Sequence, residues 1–299
     1  MASSRILLTG ASGPIGRALR SSFPGRGYKV VRLVRGAASN QDEVSWNPQV
    51  ALAPEAVSDF DTVVHLAGES IVGRWTPAKK ARILESRATG TRNLAEALAK
   101  APRRPRVFIS ASAIGYYGNR GDELLREDSA SGHDFLSEVC RQWEAATQPA
   151  AQAGIRTVNL RIGVMLSSTG GALKQMLLPF RMCAGGRIGD GRQWWSWITL
   201  DDLVGAVHHV MKADLLQGPV NAVAPKPVPN AEFTRILAQV LHRPAIFPMP
   251  AFAARLAFGQ MADELLLASQ RVEPSKLVGS GYPFQHSELK KALEDLLKK

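Results

Sequence analysis

From residue 5 to about residue 165, short apolar runs alternate with longer stretches in which apolar residues return every three or four positions. Arg5-Ile-Leu-Leu-Thr9 reads as a first strand, Lys29-Val-Val-Arg-Leu-Val34 as a second, Val44-Ser-Trp46 as a short third and Asp61-Thr-Val-Val-His-Leu-Ala67 as a fourth. Helical stretches separate them. Ile15 to Phe23 is one; a longer one starts at Pro77, a residue suited to a first helical turn, and runs to about Lys100 with Ile83, Leu84, Leu94, Ala97 and Leu98 near one face. Pro102 and Pro105 close it. Arg106-Val-Phe-Ile-Ser-Ala-Ser112 then reads as a fifth strand, residues 134–152 as a helix and Arg156-Thr-Val-Asn-Leu-Arg161 as a sixth strand. Strands alternating with helices predict an α/β fold built on a doubly wound parallel sheet.

The pattern changes from about Leu166. Gly170-Gly171, Gly185-Gly186 and Gly189-Asp-Gly191 punctuate a segment ending in Gln193-Trp-Trp-Ser-Trp-Ile198, after which Leu200 to Met211 resumes as a helix. The remainder is rich in proline, with helices suggested at 230–242 and 287–297. A smaller C-terminal substrate lobe is expected over the edge of the sheet where the strands end, which is where open α/β folds bind their ligands.

Composition fits a globular chain long enough to bury a substantial core: 299 residues, 45% hydrophobic and 21% charged. No apolar stretch is long enough to span a bilayer, and the first apolar run leads straight into a glycine turn without the layout of a signal peptide, so a cytoplasmic protein is expected. Cys140 and Cys183 lie outside any metal-ligand spacing and predict free thiols with no metal. The net charge of +11 invites a nucleic-acid reading, but the basic residues are scattered and no aromatic-interleaved basic stripe accompanies them. An anionic small molecule is the partner expected, with no nucleic acid and no membrane; a homodimer is left open.

The first strand runs directly into Gly10-Ala-Ser12-Gly13-Pro14-Ile15-Gly16. Strand, glycine-spaced turn and helix in that order are what a dinucleotide pyrophosphate requires: Gly10 for the tight turn, Gly13 for close approach of the phosphates, Gly16 for helix-on-strand packing. The helix N-terminus adds unpaired N–H groups that favour an anion. This makes the sheet Rossmann-type, with residues 1–165 as an NAD(P)-binding domain to which 197–223 return, and 166–196 with 224–299 as the smaller lobe. The second strand ends at Val34-Arg35, with no acidic residue until Asp42. An NAD site places a carboxylate there for the ribose hydroxyl, whereas an arginine suits the extra phosphate of NADP, so Arg35 points to NADP (NADPH). The competing reading of Arg35 is an exposed strand-end arginine on a basic surface.

The glycine turn, the strand ending His65-Leu66-Ala67-Gly68, the helix segment Gly90-Thr-Arg-Asn93-Leu and the strand ending Ser110-Ala-Ser112 resemble the extended short-chain dehydrogenase/reductase superfamily. Within it, Leu66-Ala-Gly-Glu69, Glu85-Ser-Arg87, Ser112-Ala-Ile-Gly-Tyr116-Tyr117-Gly118, Trp143-Glu144, Leu177-Leu-Pro-Phe180, Asp201-Asp202-Leu203 and Asn221-Ala-Val-Ala-Pro225 are similar to an atypical epimerase-family branch of NADP-dependent oxidoreductases, some with a division-inhibitor-like name. Residues 270–284 resemble the small C-terminal domain of unknown function in that branch. The resemblance implies cofactor contacts at the glycine turn (Gly10, Ser12, Gly13, Pro14, Ile15, Gly16), at Val34 and Arg35, at Leu66, Ala67 and Gly68, and at Arg87, Ser110 and Met165. Arg87 has a second reading as a helix-surface arginine paired with Glu85, and Met165 as core filler. Trp194, Trp195 and Trp197 read as core in preference to a stacking platform.

The superfamily moves a hydride at a carbonyl or alcohol carbon and a proton through a Tyr-x-x-x-Lys pair, with a serine steadying the substrate oxygen. Here Leu136 falls at the tyrosine position and Cys140 at the lysine position, and no Tyr-x-x-x-Lys occurs in the chain. Ser112 is at the serine position. One reading gives catalysis to Ser112 as oxyanion partner with Tyr116 or Tyr117 as proton source beside an arginine, acting on a small carbonyl- or alcohol-bearing metabolite; the other has these loop tyrosines packing on substrate or nicotinamide. A binding or regulatory protein that retains the cofactor and lacks the chemistry is the alternative, a link to cell division being one form of it.

Overall fold

Seven parallel strands form the main sheet: β1 (Ser4–Thr9), β2 (Tyr28–Val34), β3 (Glu43–Ser45), β4 (Thr62–His65), β5 (Val107–Ala113), and, after the two-residue β6 (Leu124–Leu125), β7 (Arg156–Ile162) and β11 (Gly218–Ala222). Their order is β11-β7-β5-β4-β1-β2-β3, every pairing parallel. The computed structural model describes residues 4–298. Because side chains alternate across a strand, each run feeds two cores. Ile6, Leu8, Val64, Ile109, Val158 and Leu160 pack with α1 (Pro14–Ser22) and α6 (Leu200–Lys212); Leu7, Val31, Val63 and Phe108 pack on the other face with α2 (Pro77–Lys100) and α4 (Gln148–Gln152). Burial on both faces makes these strands nearly continuous apolar runs, and each fully buried leucine, isoleucine or phenylalanine contributes about 1.5–3 kcal/mol.

Helix boundaries follow local chemistry. Thr76 caps α2 by accepting a hydrogen bond from Lys79 N at 3.2 Å, and Pro77 opens the helix as expected. The helix expected over 134–152 is two helices. Asp134 caps α3 (Phe135–Ala145), which stops at Ala146, and α4 starts again with Pro149 in its first turn. Proline has no N–H to continue the helical ladder, so the chain breaks just before it.

The smaller lobe packs α5 (Gly171–Arg181), α7 (Asn230–Leu241) and α10 (Leu289–Leu297) around Phe180, Trp195, Trp197 and Phe233. Trp195 and Trp197 thus lie in the core, as their sequence suggests. Short strand pairs stitch the lobe to the sheet: β8 (Val164–Leu166) with β10 (Trp197–Thr199), β9 (Trp194–Trp195) with β12 (Val228–Pro229), and β13 (Arg271–Val272) with β6. The remaining helices are α8 (Ala251–Phe258) and α9 (Ser275–Gly279). Asp202, fully buried in α6, fixes the following segment by accepting from Gln285 N (2.7 Å) and His286 N (3.0 Å). Among the described residues no helix is long and apolar enough to cross a membrane.

Candidate functional site

All the strands of a parallel sheet end on one side, so the turns after β1, β2, β4, β5 and β7 gather along one edge. Strand order reverses between β1 and β4, and that is where a crevice opens in this architecture. Gly10 there has φ +66°, and a side-chain carbon on it would stand 2.7 Å from the Leu66 carbonyl carbon. Only glycine brings the β1 turn this close to the end of β4. A side-chain carbon on Gly16 would lie 2.2 Å from the Gly10 oxygen, which explains the tight seat of α1 on β1. Gly13 forms the N-cap of α1 without any capping side chain, and Pro14 follows. The α1 N-terminus therefore faces the crevice as backbone alone, and the residues present fit a dinucleotide pyrophosphate.

Beneath the turn, Thr9 Oγ1 accepts from Leu66 N (3.0 Å) and Ala67 N (3.1 Å) and lies 2.8 Å from His65 Nδ1. Its single proton goes to Nδ1, leaving His65 Nε2–H to donate to Thr91 Oγ1 at 2.9 Å. Burial pushes the His65 imidazole down to about 3, so it is a neutral brace joining β1, β4 and α2. Leu66 and Ala67 are half-buried and Gly68 is exposed at the crevice, while Val34 and Arg35 stand at the end of β2, Arg35 exposed and without a hydrogen bond or ion pair among the described residues. Met165, on β8, is half-buried, its methyl against Gly171. Arg87 is not paired with Glu85: its Nη1 donates to Glu69 O (3.0 Å) and Ile83 O (3.2 Å), and its guanidinium lies 4.9 Å from the centre of the Trp143 ring. Ser110 needs correction as a contact residue. It sits one rung deeper in β5 than Ser112, has no exposed surface and donates to Ala111 O.

The β5 and β7 ends carry a charged cluster. Ser112 Oγ donates to Glu144 Oε1 at 2.7 Å, and Arg161 holds the same carboxylate through Nε (2.8 Å) and Nη2 (2.9 Å). Arg161 Nη1 donates to Tyr117 Oη (3.0 Å) and to Glu127 O (3.1 Å). Burial alone would weaken the Arg161 charge, yet the bidentate Glu144 carboxylate outweighs it and holds the guanidinium above its ordinary range. Two expectations change here. Tyr117 has no exposed surface; its hydroxyl sits between Asn221 Oδ1 (2.7 Å) and Arg126 O (2.9 Å), and burial pushes it up to about 12. It braces β7 and β11 and does not face the crevice. Ser112 cannot donate to an oxyanion in this arrangement either, because an ionised carboxylate only accepts and Glu144 therefore takes the one hydroxyl proton.

Tyr116 is different. Its ring is half-buried with the Arg161 guanidinium 3.5 Å from its centre, and its hydroxyl makes no hydrogen bond among the described residues. Leu136 and Cys140, at the positions of the superfamily pair, are buried in α3 behind the Gly115 backbone. Burial pushes the Cys140 thiol up to about 12, so neither position moves a proton near neutrality. The α3 N-terminus is completed from far along the chain: Glu264 Oε2, itself buried, accepts from Leu136 N at 2.8 Å, and Met261 packs with Leu136 and Val139. Sequence reading treats Glu144 only as a landmark and gives Arg161 no role. Their signal is faint: a buried arginine near the end of β7, a strand that also carries Arg156, Thr157 and Asn159.

Comparison with known proteins agrees with this geometry. The family model for the NAD dependent epimerase/dehydratase family matches residues 6–222, and the domain of unknown function DUF1731 matches residues 249–296. The chain is 42% identical over 295 residues to an epimerase family protein of Mycobacterium tuberculosis, covering 98% of this chain and 97% of that one. Among solved structures, human epimerase family protein SDR39U1, crystallised with NADPH, superposes with a TM-score of 0.91 at 34% identity over 98% of this chain and 99% of that one. A nucleoside-diphosphate sugar epimerase from Corynebacterium glutamicum gives a TM-score of 0.83 at 39% identity over 99% of this chain and 58% of that one. With its glycine turn at the β1/β4 crevice and a C-terminal segment that completes α3, the chain belongs to the NAD dependent epimerase/dehydratase family, in a branch of the extended short-chain dehydrogenase/reductase superfamily that carries DUF1731.

Proposed function

We propose that this chain is an NADPH-dependent oxidoreductase or epimerase-like enzyme acting on a small carbonyl- or alcohol-bearing metabolite, with Tyr116 as its proton-transferring side chain. The observation that carries the reading is the pairing of a backbone-only pyrophosphate cradle at Gly10–Gly16 with a tyrosine whose hydroxyl has no hydrogen-bond partner among the described residues and whose ring lies on Arg161. The cradle would hold NADPH, which when bound would supply a hydride. The similarity to a protein crystallised with NADPH and the exposed Arg35 both support that cofactor over NADH.

The protein's own groups divide the remaining work. Arg161 on the face of Tyr116 offsets negative charge that develops on the ring as the proton leaves, and Glu144 keeps that cation in place. Ser112, its proton committed to Glu144, has only lone pairs left to offer, so a group it steadies is a hydrogen-bond donor such as an alcohol or amide. Titration with NADPH and NADH is expected to favour NADPH, and Arg35→Ala to remove the preference. NADPH oxidation over a panel of small carbonyl compounds is expected to fall about a hundredfold in Tyr116→Phe, the range of a lost general acid. Tyr117→Phe is expected to change it little. Equal rates in wild type and Tyr116→Phe would take tyrosine out of the mechanism, and absence of turnover in all three would favour a cofactor-binding regulatory protein.

A further inference from the structure

A second cavity, of about 510 Å³, is set in the smaller lobe, and none of the crevice residues described above lines it. Its volume is in the range of small-molecule sites. Three arginines line it, each on a different piece of chain: Arg187 before the Gly189-Asp-Gly191 turn, Arg235 on α7 and Arg243 just after α7. Hydrogen bonds to the backbone fix these pieces. Ile188 N donates to Asn230 Oδ1 (2.8 Å) and Ala231 N to Gly191 O (2.8 Å), which ties the Arg187 segment to the first turn of α7. His242 takes φ +54° and turns the chain back over the helix end, where Arg243 N donates to Ala238 O at 3.0 Å. Met249 N donates to Arg187 O (2.8 Å) and Gly189 N to Met249 O (2.9 Å). A side-chain carbon on Gly186 would lie 2.0 Å from the Phe247 oxygen, so only glycine lets these two segments meet.

The charge gathered here is uncompensated. Arg187 and Arg243 form no ion pair among the described residues, Arg235 stands 3.9 Å from Glu232, and no acidic residue lines the cavity. Thr234 lines it too, is only 6% exposed, and its hydroxyl makes no hydrogen bond among the described residues. A hydroxyl that deep is ordinarily paired, which marks a place for an accepting ligand atom. Ala238, Ile246 and Pro248 add apolar wall. Guanidinium forks match a phosphate with paired hydrogen bonds, whereas an apolar wall contributes nothing to holding a bare ion. We propose that this cavity binds a small soluble phosphate ester, its phosphate held by Arg187, Arg235, Arg243 and Thr234 and its organic part against Ile246 and Pro248. The site is independent of the NADPH reading and of Tyr116.

The test is calorimetric titration of the full chain with phenyl phosphate and with inorganic phosphate. Wild type is expected to bind phenyl phosphate with a dissociation constant of about 1 mM or below, and inorganic phosphate at least about threefold more weakly. Arg187→Gln/Arg243→Gln alters two exposed side chains, so the fold is expected to survive, as a thermal melt would check. Its dissociation constant for phenyl phosphate should rise about tenfold or more, while NADPH affinity stays within about twofold of wild type. Thr234→Val, nearly the same shape, should weaken the ester about threefold to tenfold. Equal affinity for the ester in wild type and the double variant would place the phosphate elsewhere and overturn the proposal, as would failure of wild type to bind it. Inorganic phosphate bound as tightly as the ester also overturns it. Vesicles of phosphatidylcholine with phosphatidic acid separate a soluble ester from a lipid headgroup: if they sediment wild type but not the double variant, and phenyl phosphate does not bind, the soluble ester is overturned.

Discussion

The two halves of the crevice are built on opposite principles. Around β1 and β4 the surface offered to a ligand is backbone and small residues, and the polar side chains below it, Thr9, His65 and Thr91, are closed into a neutral chain. Around β5 and β7 the floor is a buried ion pair, Arg161 with Glu144, and the hydroxyls of Ser112, Tyr116 and Tyr117 are disposed about it. The first half depends on the absence of side chains, the second on their charge. A cofactor cradle made of backbone cannot be relocated, because only the strand-turn-helix order creates it. Charge can be supplied from any neighbouring element, and here the superfamily's tyrosine and lysine positions are apolar while cations stand on β7 and α2.

If that contrast is right, damage to one half should leave the other's readout intact. The largest effect is expected from Glu144→Ala, which leaves the Arg161 charge buried and unpaired: a loss of about 3–5 kcal/mol in a denaturant titration, with NADPH affinity preserved in the folded protein. Glu144→Leu combined with Arg161→Met should recover much of that loss; a double variant less stable than the single would show that the pair is net stabilising and break the argument. Gly16→Ala should invert the pattern. Its new methyl meets the Gly10 oxygen, a backbone atom that cannot rotate away, so α1 must lift from β1, with a loss of about 1–3 kcal/mol and NADPH binding abolished. Tyr117→Phe removes a buried hydroxyl from between Asn221 and Arg161 and should cost about 1–3 kcal/mol.

The remaining effect is on pH dependence and belongs to the neutral half. His65 is held down to about 3 when folded, against an ordinary value near 6.5. Between these values the unfolded chain binds the extra proton, so stability is full above about pH 6.5 and declines as pH falls toward 3. His208, also lowered by burial, to about 4, adds to the same trend between α1 and α6. Thermal melts from pH 7 to 4 on wild type and His65→Asn should show a shallower acid slope in the variant. An identical slope would mean that His65 is not the proton-sensitive brace.

The same contrast accounts for what could be read in advance. Backbone requirements leave local marks: the glycine spacing, the apolar runs and Pro77 placed the sheet, α1 and α2 within a residue or two. Elements that break local rules were missed. α5 contains Pro179, and β11 is Gly-Pro-Val-Asn-Ala, which reads as a turn until β7 provides its partner. The charged cluster left almost no trace because Ser112, Glu144 and Arg161 lie on three separate elements and meet only once β5, α3 and β7 are packed. For the same reason sequence alone makes Ser112 a donor: a serine position is visible there, but the carboxylate that takes its proton is not.

The cap that Glu264 places on α3 has a consequence for how the molecule comes into being. Donor and acceptor are separated by 128 residues, so α3 leaves the ribosome long before the carboxylate that will terminate its first turn has been synthesised. Until then the helix carrying Leu136, Cys140 and Glu144 has its Asp134 cap alone, and the Leu136 N–H is left to water. The wall of the crevice formed by α3 is therefore finished only when the segment that carries Glu264 has been added.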